Sequence, residues 1–409
     1  MPHVVVMVTT SYPRFPGDSV GTFMEPIARS VAARGHEVHV VAPWHPLVAR
    51  ATVEEGVHLH FYRYAPLRAL NVFGYAAAMR ADVRVRGAAY LAAPLALAAG
   101  WQAARGVARR YRATVMHGHW VIPGGVTAAA AAPALPLVIS LHGSDVYLAE
   151  TLLPARVAAR EAFRRAGFVT ACSDDLASRA VVLGADRSRL ETVPYGVDIE
   201  RFRPDAAVRD ARRHELGVGE RVPLVVAAGR LVRKKGFEYL IDAMPHLPDA
   251  VLAIAGDGTL AGELRERART RDVTERIRFL GNQPQDRIGE YLAAADVVCV
   301  PSVRDDRGNV DGLPNVVLEA LASGTPLVTT AAGGIGAVVE DGRTALVVPE
   351  RDSAALAEAA ARILADPDTS RRMGEAARAL VQARFGWPRV AERLDAAYDR
   401  ALAFTSRDR

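Results

Sequence analysis

The strongest chemical signal in this chain is the nonapeptide Asp311-Gly-Leu-Pro-Asn-Val-Val-Leu-Glu319. Proline fits the first turn of a helix, where its missing N–H costs nothing. With Pro314 in that turn, the N–H groups of Asn315 and Val316 lack helical partners and make an anion site suited to a pyrophosphate. Glu319 lies just over a turn further on, where a carboxylate accepts hydrogen bonds from vicinal ribose hydroxyls. Asp311 precedes the helix and can reach sugar hydroxyls or an acceptor. The competing reading of these residues is a capped helix carrying one solvated acid.

A second cluster, Gly229-Arg-Leu-Val-Arg-Lys-Lys-Gly236, follows an apolar run and precedes a helical pattern. Arg230 and Lys235 on a strand-end loop can neutralise a leaving diphosphate as its charge develops, a task other sites give to a divalent metal. Arg233 and Lys234 read as ordinary solvated cations. The stretch is not a GxxxxGK[ST] phosphate loop. A third cluster, Leu141-His-Gly-Ser-Asp145, also follows an apolar run. His142 can hydrogen-bond a sugar or phosphate there, and Asp145 can cap a helix or fix a histidine tautomer; a lone histidine is otherwise structural.

Weaker signals accompany these. In the loop 11–23, Gly17 and Gly21 let backbone approach a phosphate or an acceptor, and Thr22 is placed to cap the next helix. His117-Gly-His119 lacks an evident third metal ligand and reads as acceptor contact or core. Gly256-Asp-Gly258 has the spacing GxGxxxG, not the dinucleotide spacing GxGxxG. Gly281 ends a strand where backbone groups can meet a nucleobase edge.

Positioning such loops requires strands that end on one side of a sheet. Apolar runs at Val4–Val8, Val38–Ala42, Thr114–His117, Leu137–Leu141 and Phe168–Ala171 alternate with helix-period segments, the rhythm of a buried parallel sheet. The polar stretch Tyr195–Gly219 reads as a crossing between domains. The rhythm resumes at Leu224–Ala228, Val251–Ala255, Ile277–Leu280, Val297–Pro301, Leu327–Thr330 and Ala345–Val348. Helices are expected at Thr22–Arg34, Glu238–Met244, Leu260–Thr270, Pro314–Leu321, Ser353–Ala365 and about Pro388–Phe404. The fold class is therefore α/β, with two doubly wound parallel-sheet domains facing across a cleft where ligands bind.

The chain's 409 residues suit two such domains of roughly 200 residues each. Half the residues are hydrophobic and 24% are charged, which excludes a disordered chain. A net charge of +5 suits phosphate-bearing ligands or an anionic membrane face, although scattered Arg in an Ala/Arg-rich chain accounts for much of it. A nucleic-acid partner is not expected. Cys172 and Cys299 cannot form a disulfide framework or a CxxC zinc site and read as buried thiols in a reducing cytosol. The N-terminus reads as a first strand rather than a signal peptide. The uncharged segment 87–104 admits three readings: a buried or acceptor-side helix, a membrane-surface contact, or a short span.

Taken in order, GHEVHVVAP (35–43), LHGSDVY (141–147), VPYGVDIERFRP (193–204), GRLVRKKG (229–236), IAGDGTL (254–260), RIRFLG (276–281), DGLPNVVLEALASGTPLV (311–328) and DGRTALVVP (341–349) resemble the GT4 family of retaining GT-B glycosyltransferases. Segment 63–111 is similar to members that build bacterial exopolysaccharide or lipopolysaccharide on lipid carriers. The resemblance implies the GT-B fold, with two Rossmann-like domains. Residues 1–200 would bind the acceptor, 201–385 the nucleotide-sugar donor, and 386–409 would form a helix crossing back to the first domain. Arg230 and Lys235 would hold the donor diphosphate beside Gly229. Glu319 would bind the ribose, and the backbone of Leu313, Pro314, Asn315 and Val316 would meet the diphosphate and hexose. Asp311 would face the donor sugar, His142 the transferred sugar, and the Gly17–Gly21 loop the diphosphate or acceptor.

Three departures stand out: Asp311 shortens the first acid of the family's E-x7-E pattern, GGIG (333–336) lacks the glutamate of GGxPE, and Tyr195 replaces an asparagine before GVD.

By that resemblance the leaving diphosphate itself helps deprotonate the acceptor hydroxyl, so no protein nucleophile is assigned and no metal is expected. The expected partners are a nucleotide-sugar donor, a hydroxyl acceptor that is lipid-linked or a polysaccharide precursor, and an anionic membrane surface touched from the cytoplasm. Three rivals remain. A nucleotide-sugar epimerase would not need the acceptor-like segment 63–111. A dinucleotide oxidoreductase is weakened by the spacing at 256–262. A sugar-binding protein without chemistry would not need Arg230 with Lys235.

Overall fold

The computed structural model describes residues 2–18, 20–65, 79, 80, 84, 85 and 87–407. The chain divides into two compact units, one of Met1–Tyr195 with Trp387–Arg409 and the other of Gly196–Gly386.

In chain order the first unit contains β1 (Val4–Val8), α1 (Met24–Ala32), β2 (Glu37–Pro43), β3 (Val53–Glu54), β4 (Val57–Tyr62), β5 (Met79–Arg80), β6 (Arg84–Val85), α2 (Gly87–Arg110), β7 (Val115–His119), α3 (Val126–Ala131), β8 (Leu137–Leu141), α4 (Ser144–Thr151), α5 (Leu153–Arg165), β9 (Phe168–Ala171), α6 (Asp174–Val182) and β10 (Leu190–Thr192). Its main sheet has the order β10-β9-β8-β7-β1-β2-β4-β3, parallel except for the β3–β4 pair. Central strands such as β1, VVVMV, are apolar and buried along almost their whole length, because helices cover both faces.

The second unit contains α7 (Ala206–Glu215), β11 (Leu224–Ala228), α8 (Phe237–Ala243), β12 (Val251–Ala255), α9 (Ala261–Thr270), β13 (Ile277–Gly281), α10 (Gln285–Ala294), β14 (Val297–Val300), α11 (Asn315–Ala322), β15 (Leu327–Thr329), β16 (Leu346–Val347), α12 (Ser353–Ala365) and α13 (Pro367–Arg384). Its strand order is β13-β12-β11-β14-β15-β16, all parallel. Both sheets thus reverse direction beside their first strand, β1 or β11, the place where open α/β sheets leave a ligand crevice.

The last helix, α14 (Trp387–Arg407), belongs to the first unit. Its residues Val390, Ala391, Leu394, Ala397, Tyr398 and Ala401 are buried at helical spacing and pack into that unit's core. Arg34 and His36 pair with Asp395, and Arg393 and Arg400 pair with Glu191. Tyr398 reaches deepest, its hydroxyl 3.0 Å from Nδ1 of the buried His117. The other His117 nitrogen lies 2.7 Å from the Ser140 hydroxyl, so His117 is a satisfied core residue rather than a ligand or acceptor contact.

Several sequence expectations shift. α1 begins at Met24 behind Phe23 with no side-chain cap, so Thr22 does not cap it. Pro314 is the residue before α11, with extended ψ of 121°, rather than part of its first turn. The stretch read as a polar crossing contains α7, whose N-cap Asp205 accepts from the Val208 N–H. The segment 87–104 lies in α2, which buries Ala92, Ala96, Ala104 and Ala108 along one face. Among the described residues no helix is long and apolar enough to cross a membrane. Part of segment 63–111, namely 66–78, 81–83 and 86, lies outside the described residues.

Removing the Tyr398 hydroxyl leaves a buried imidazole nitrogen unpaired without opening a large cavity. Tyr398→Phe should lower the unfolding free energy by about 1–2 kcal/mol in urea denaturation. An unchanged midpoint and slope would show that the His117 contact contributes nothing.

Candidate functional site

In the second unit the loops that leave β11 and β14 meet where the strand order reverses. They are joined directly by a 2.9 Å bond from the Val303 N–H to the Lys234 carbonyl. The neighbouring strand ends are stitched as well: Gly229 N–H donates to Ala255, Leu231 to Asp257, and Gly256 to Gly281, at 2.7–2.9 Å. Gly256 must be glycine here, since at φ +145° an added Cβ would lie 1.9 Å from the Gly229 oxygen. The Gly281 carbonyl is therefore engaged by Gly256, and Gly281 itself turns at φ +65°.

These loops bring two lysines onto one carboxylate. Lys234 Nζ lies 2.9 Å from Asp311 Oδ1, and Lys235 Nζ lies 2.7 Å from Oδ2. All three side chains are at least 87% buried, which follows from exposures of 8%, 13% and 13%. Burial alone would raise the Asp311 carboxyl, but the two ammonium groups outweigh it and hold the group far below the ordinary carboxylate range. Asp311 is therefore an anion locked in place. Gly333, at φ +63°, passes so close to the Asp311 carbonyl that a Cβ would sit 1.9 Å from its oxygen.

The reading of Lys234 as a solvated cation is corrected by this geometry. Only Arg233 fits it, half exposed and paired with Glu238 and Glu263. Arg230 is exposed at the end of β11. Lys235 runs back over Gly229, where an added Cβ would meet its Cε at 3.4 Å.

α11 begins beside this triad. No side chain caps it, and Val317 is the first residue of the turn whose N–H finds a carbonyl, that of Pro314. The N–H groups of Asn315 and Val316 have no such partner within the turn. Leu313 and Pro314 are buried in the lead-in. Glu319 follows on α11, 7% exposed, and its carboxyl is pushed up to about 7 by burial, against the opposing pull of Gln285, Lys235 and Arg201. Gln285 Nε2 donates to Glu319 at 3.3 Å while its Oε1 accepts from Arg201 at 2.9 Å. The amide orientation is the one that satisfies both neighbours. Neither Gln285 nor Arg201 was singled out in the sequence, because the contact joins residues 34 and 84 positions apart.

In the first unit the corresponding reversal lies between β1 and β7. The His142 ring, after β8, lies stacked 5.7 Å from Tyr195 and tilted against Phe23 and Trp120 at 4.9 and 4.7 Å, centroid to centroid. Its Nε2 lies 3.1 Å from His119 Nδ1 and its Nδ1 2.8 Å from the Tyr195 hydroxyl. Burial lowers His142 to about 3, so the ring is neutral near pH 7 with one nitrogen donating and one accepting. A ligand can hydrogen-bond this ring only by displacing His119 or Tyr195. Asp145 does not fix a tautomer; it accepts from the N–H groups of Val121 and Gly143 at 2.8 and 2.9 Å and pins the loops after β7 and β8 together.

Tyr195, a departure from the family pattern, thus supplies a partner for His142. Gly17 and Gly21 lie in a loop clamped by a bidentate Arg14–Asp18 pair at 2.6 and 2.8 Å; Ser19 in that loop lies outside the described residues. A Cβ on Gly17 would meet nothing within 4 Å. Among the described residues no group of three His, Cys, Asp or Glu side chains is disposed to hold a metal ion.

Comparison with known proteins places both units. The model of "Glycosyltransferase Family 4" matches residues 20–201, and that of "Glycosyl transferases group 1" matches 208–380. The chain is 38% identical over 253 residues to a GDP-mannose-dependent alpha-(1-6)-phosphatidylinositol monomannoside mannosyltransferase of Mycolicibacterium smegmatis. That match covers 60% of this chain and 65% of the relative, just under two thirds of its length. It is 30% identical over 407 residues to a glycogen synthase of Mycobacterium tuberculosis, covering 95% of this chain and 92% of the relative.

In fold it is similar to sucrose-phosphate synthase from Thermosynechococcus elongatus, with a TM-score of 0.79, 21% identity, and coverage of 98% of this chain and 99% of that one. It is also similar to Anabaena HepE in complex with UDP and glucose, with a TM-score of 0.76, 20% identity, and coverage of 96% and 98%. With parallel α/β sheets in both units, family models matching each of them, and relatives matched across nearly the whole chain, this protein belongs to the GT4 (group 1) glycosyltransferases of GT-B fold.

Proposed function

We propose that this chain moves a hexose from a nucleoside-diphosphate sugar to a hydroxyl acceptor, with retention at the anomeric carbon and without a metal ion. The observation that carries the reading is the convergence of buried cations, unpartnered helix N–H groups and a buried carboxyl at the reversal of one sheet. Lys235, with Arg230 on the same loop, gives the diphosphate its counter-charge, and the Asn315 and Val316 N–H groups give it directed donors. Glu319 accepts from the ribose hydroxyls.

Asp311 is tied between two ammonium groups, which makes it a poor nucleophile and a poor base. That favours a front-face displacement in which the departing diphosphate takes the acceptor proton. Fixed cations stabilise charge that appears only as the glycosidic bond breaks, so their effect falls on turnover.

The first unit would supply the acceptor surface. Two relatives name two acceptor classes, a phosphatidylinositol mannoside and a glycogen-type polysaccharide. The basic net charge and the lipid acceptor of the mannosyltransferase favour a lipid-linked acceptor met at the inner, cytoplasmic face of a membrane. An epimerase or a binding protein without chemistry would yield no transferred product.

Two outcomes are expected. Incubated with GDP-mannose and phosphatidylinositol monomannoside in anionic vesicles, or with an oligosaccharide acceptor, wild type should form a glycosylated product with EDTA present. Lys235→Ala should lose transfer by about 100-fold or more while keeping its circular-dichroism spectrum. Near-normal turnover in that variant would remove Lys235 from the reaction.

The second outcome concerns Glu319. Because its folded value is raised, the carboxyl is neutral below about 7, and ionisation costs the empty protein stability as pH rises from its ordinary 4.5 through about 7. A ligand that needs the carboxylate reverses that cost. Affinity for the nucleotide sugar, whose diphosphate does not titrate there, should rise between about pH 6 and 8. Glu319→Gln should bind weakly with a flat profile, and an equally steep profile in that variant would assign the titration elsewhere.

A further inference from the structure

Lys234 and Lys235 meet the same carboxylate from different sides. Lys235 meets Oδ2 of Asp311, and its charge also acts on the Glu319 carboxyl of α11. Lys234 is the more buried of the two, and its own carbonyl is anchored by the Val303 N–H. The three side chains together carry one net positive charge. A diphosphate drawn to Lys235 must compete with Asp311 for that ammonium.

If Asp311 had Lys235 alone, engaging the phosphate would leave a buried carboxylate without a partner and facing a second anion, which is strongly unfavourable. Lys234 removes that conflict by keeping Asp311 paired when Lys235 turns to the ligand. Resting on the donor-site reading above, we infer that Lys234 is a positioning residue: it holds Asp311 from behind and so releases Lys235 for the donor diphosphate.

The acid in this arrangement is an aspartate, where the family pattern that the chain resembles has a glutamate. An aspartate reaches one methylene less far from its backbone than a glutamate, and Asp311 is pressed against Gly333 on its carbonyl side. Both lysines of the adjacent strand-end loop meet its carboxylate, at 2.7–2.9 Å.

A double-mutant cycle tests the inference. Affinity is measured by calorimetry for whichever of ADP, GDP, TDP and UDP binds wild type most tightly. The proteins are wild type, Lys234→Met, Asp311→Asn and the double variant. Lys234→Met should weaken binding by about tenfold or more in the wild-type background and by less than about threefold in the Asp311→Asn background. Lys234→Arg should stay within about threefold of wild type.

An equal loss from Lys234→Met in both backgrounds would mean that Lys234 acts on the diphosphate directly, and would overturn the inference while leaving the donor site standing. No loss in either background would overturn it as well. Should Lys234→Met fail to fold, Lys234→Gln provides the same cycle. Absence of binding to wild type by all four nucleotides would instead overturn the donor-site reading, and the inference with it.

Discussion

One carboxylate between two ammonium groups organises the second unit. Taking three charges out of water is costly, and the cost is offset only when each finds a close partner. Lys234, Lys235 and Asp311 meet that condition at 2.7–2.9 Å. The arrangement fixes the loop after β11 against the loop after β14, and it places those loops where the sheet reverses direction. It also leaves a surplus positive charge in the lead-in to α11, whose first N–H groups have no partner within their own turn among the described residues. A chain that must bind and then release a diphosphate is served by such a poised, incompletely neutralised cluster, since full neutralisation would remove the attraction and an unpaired cation would be driven toward losing its charge.

The first unit solves a different problem with aromatic rings. His117, His119 and His142 are held neutral by burial, and their polar edges are matched to Tyr398, Ser140 and Tyr195. His119 Nε2 is buried without a partner, whichever tautomer the His119–His142 pair adopts. Phe23, Trp120 and Tyr195 pack around His142 and fix its ring plane. Trp120 holds a φ of +61°, unusual for a bulky side chain, and Asp145 secures the following N–H.

Much of this was legible in the sequence. The strands Val4–Val8, Leu137–Leu141, Phe168–Ala171, Leu224–Ala228 and Val251–Ala255 coincide with the apolar runs, because a strand covered on both faces has no reason to alternate. β4, VHLHFY, escaped notice because its histidines break up the apolar run, and they are accommodated by ring contacts, His58 stacked on His39 and His60 tilted against Tyr111. α7 was hidden by its charge, since Arg213 is its buried residue and replaces an apolar face with bonds to Asp296 and to the backbone. The site residues could be named one at a time from local motifs. Their partnerships could not, because Lys234 with Asp311 and Glu319 with Gln285 are joined by the order of strands in the sheet. A basic loop looks solvated until the opposing carboxylate is known.

The central claim is that the second unit holds a nucleoside-diphosphate sugar with its own cations. Titration calorimetry with ADP-, GDP-, TDP- and UDP-sugars in the presence of EDTA tests it most directly. The account predicts saturable binding of at least one of them, with an affinity that is unchanged when magnesium is restored. Binding that appears only with the metal, or binding of NAD(P) and of none of the four sugars, would contradict it.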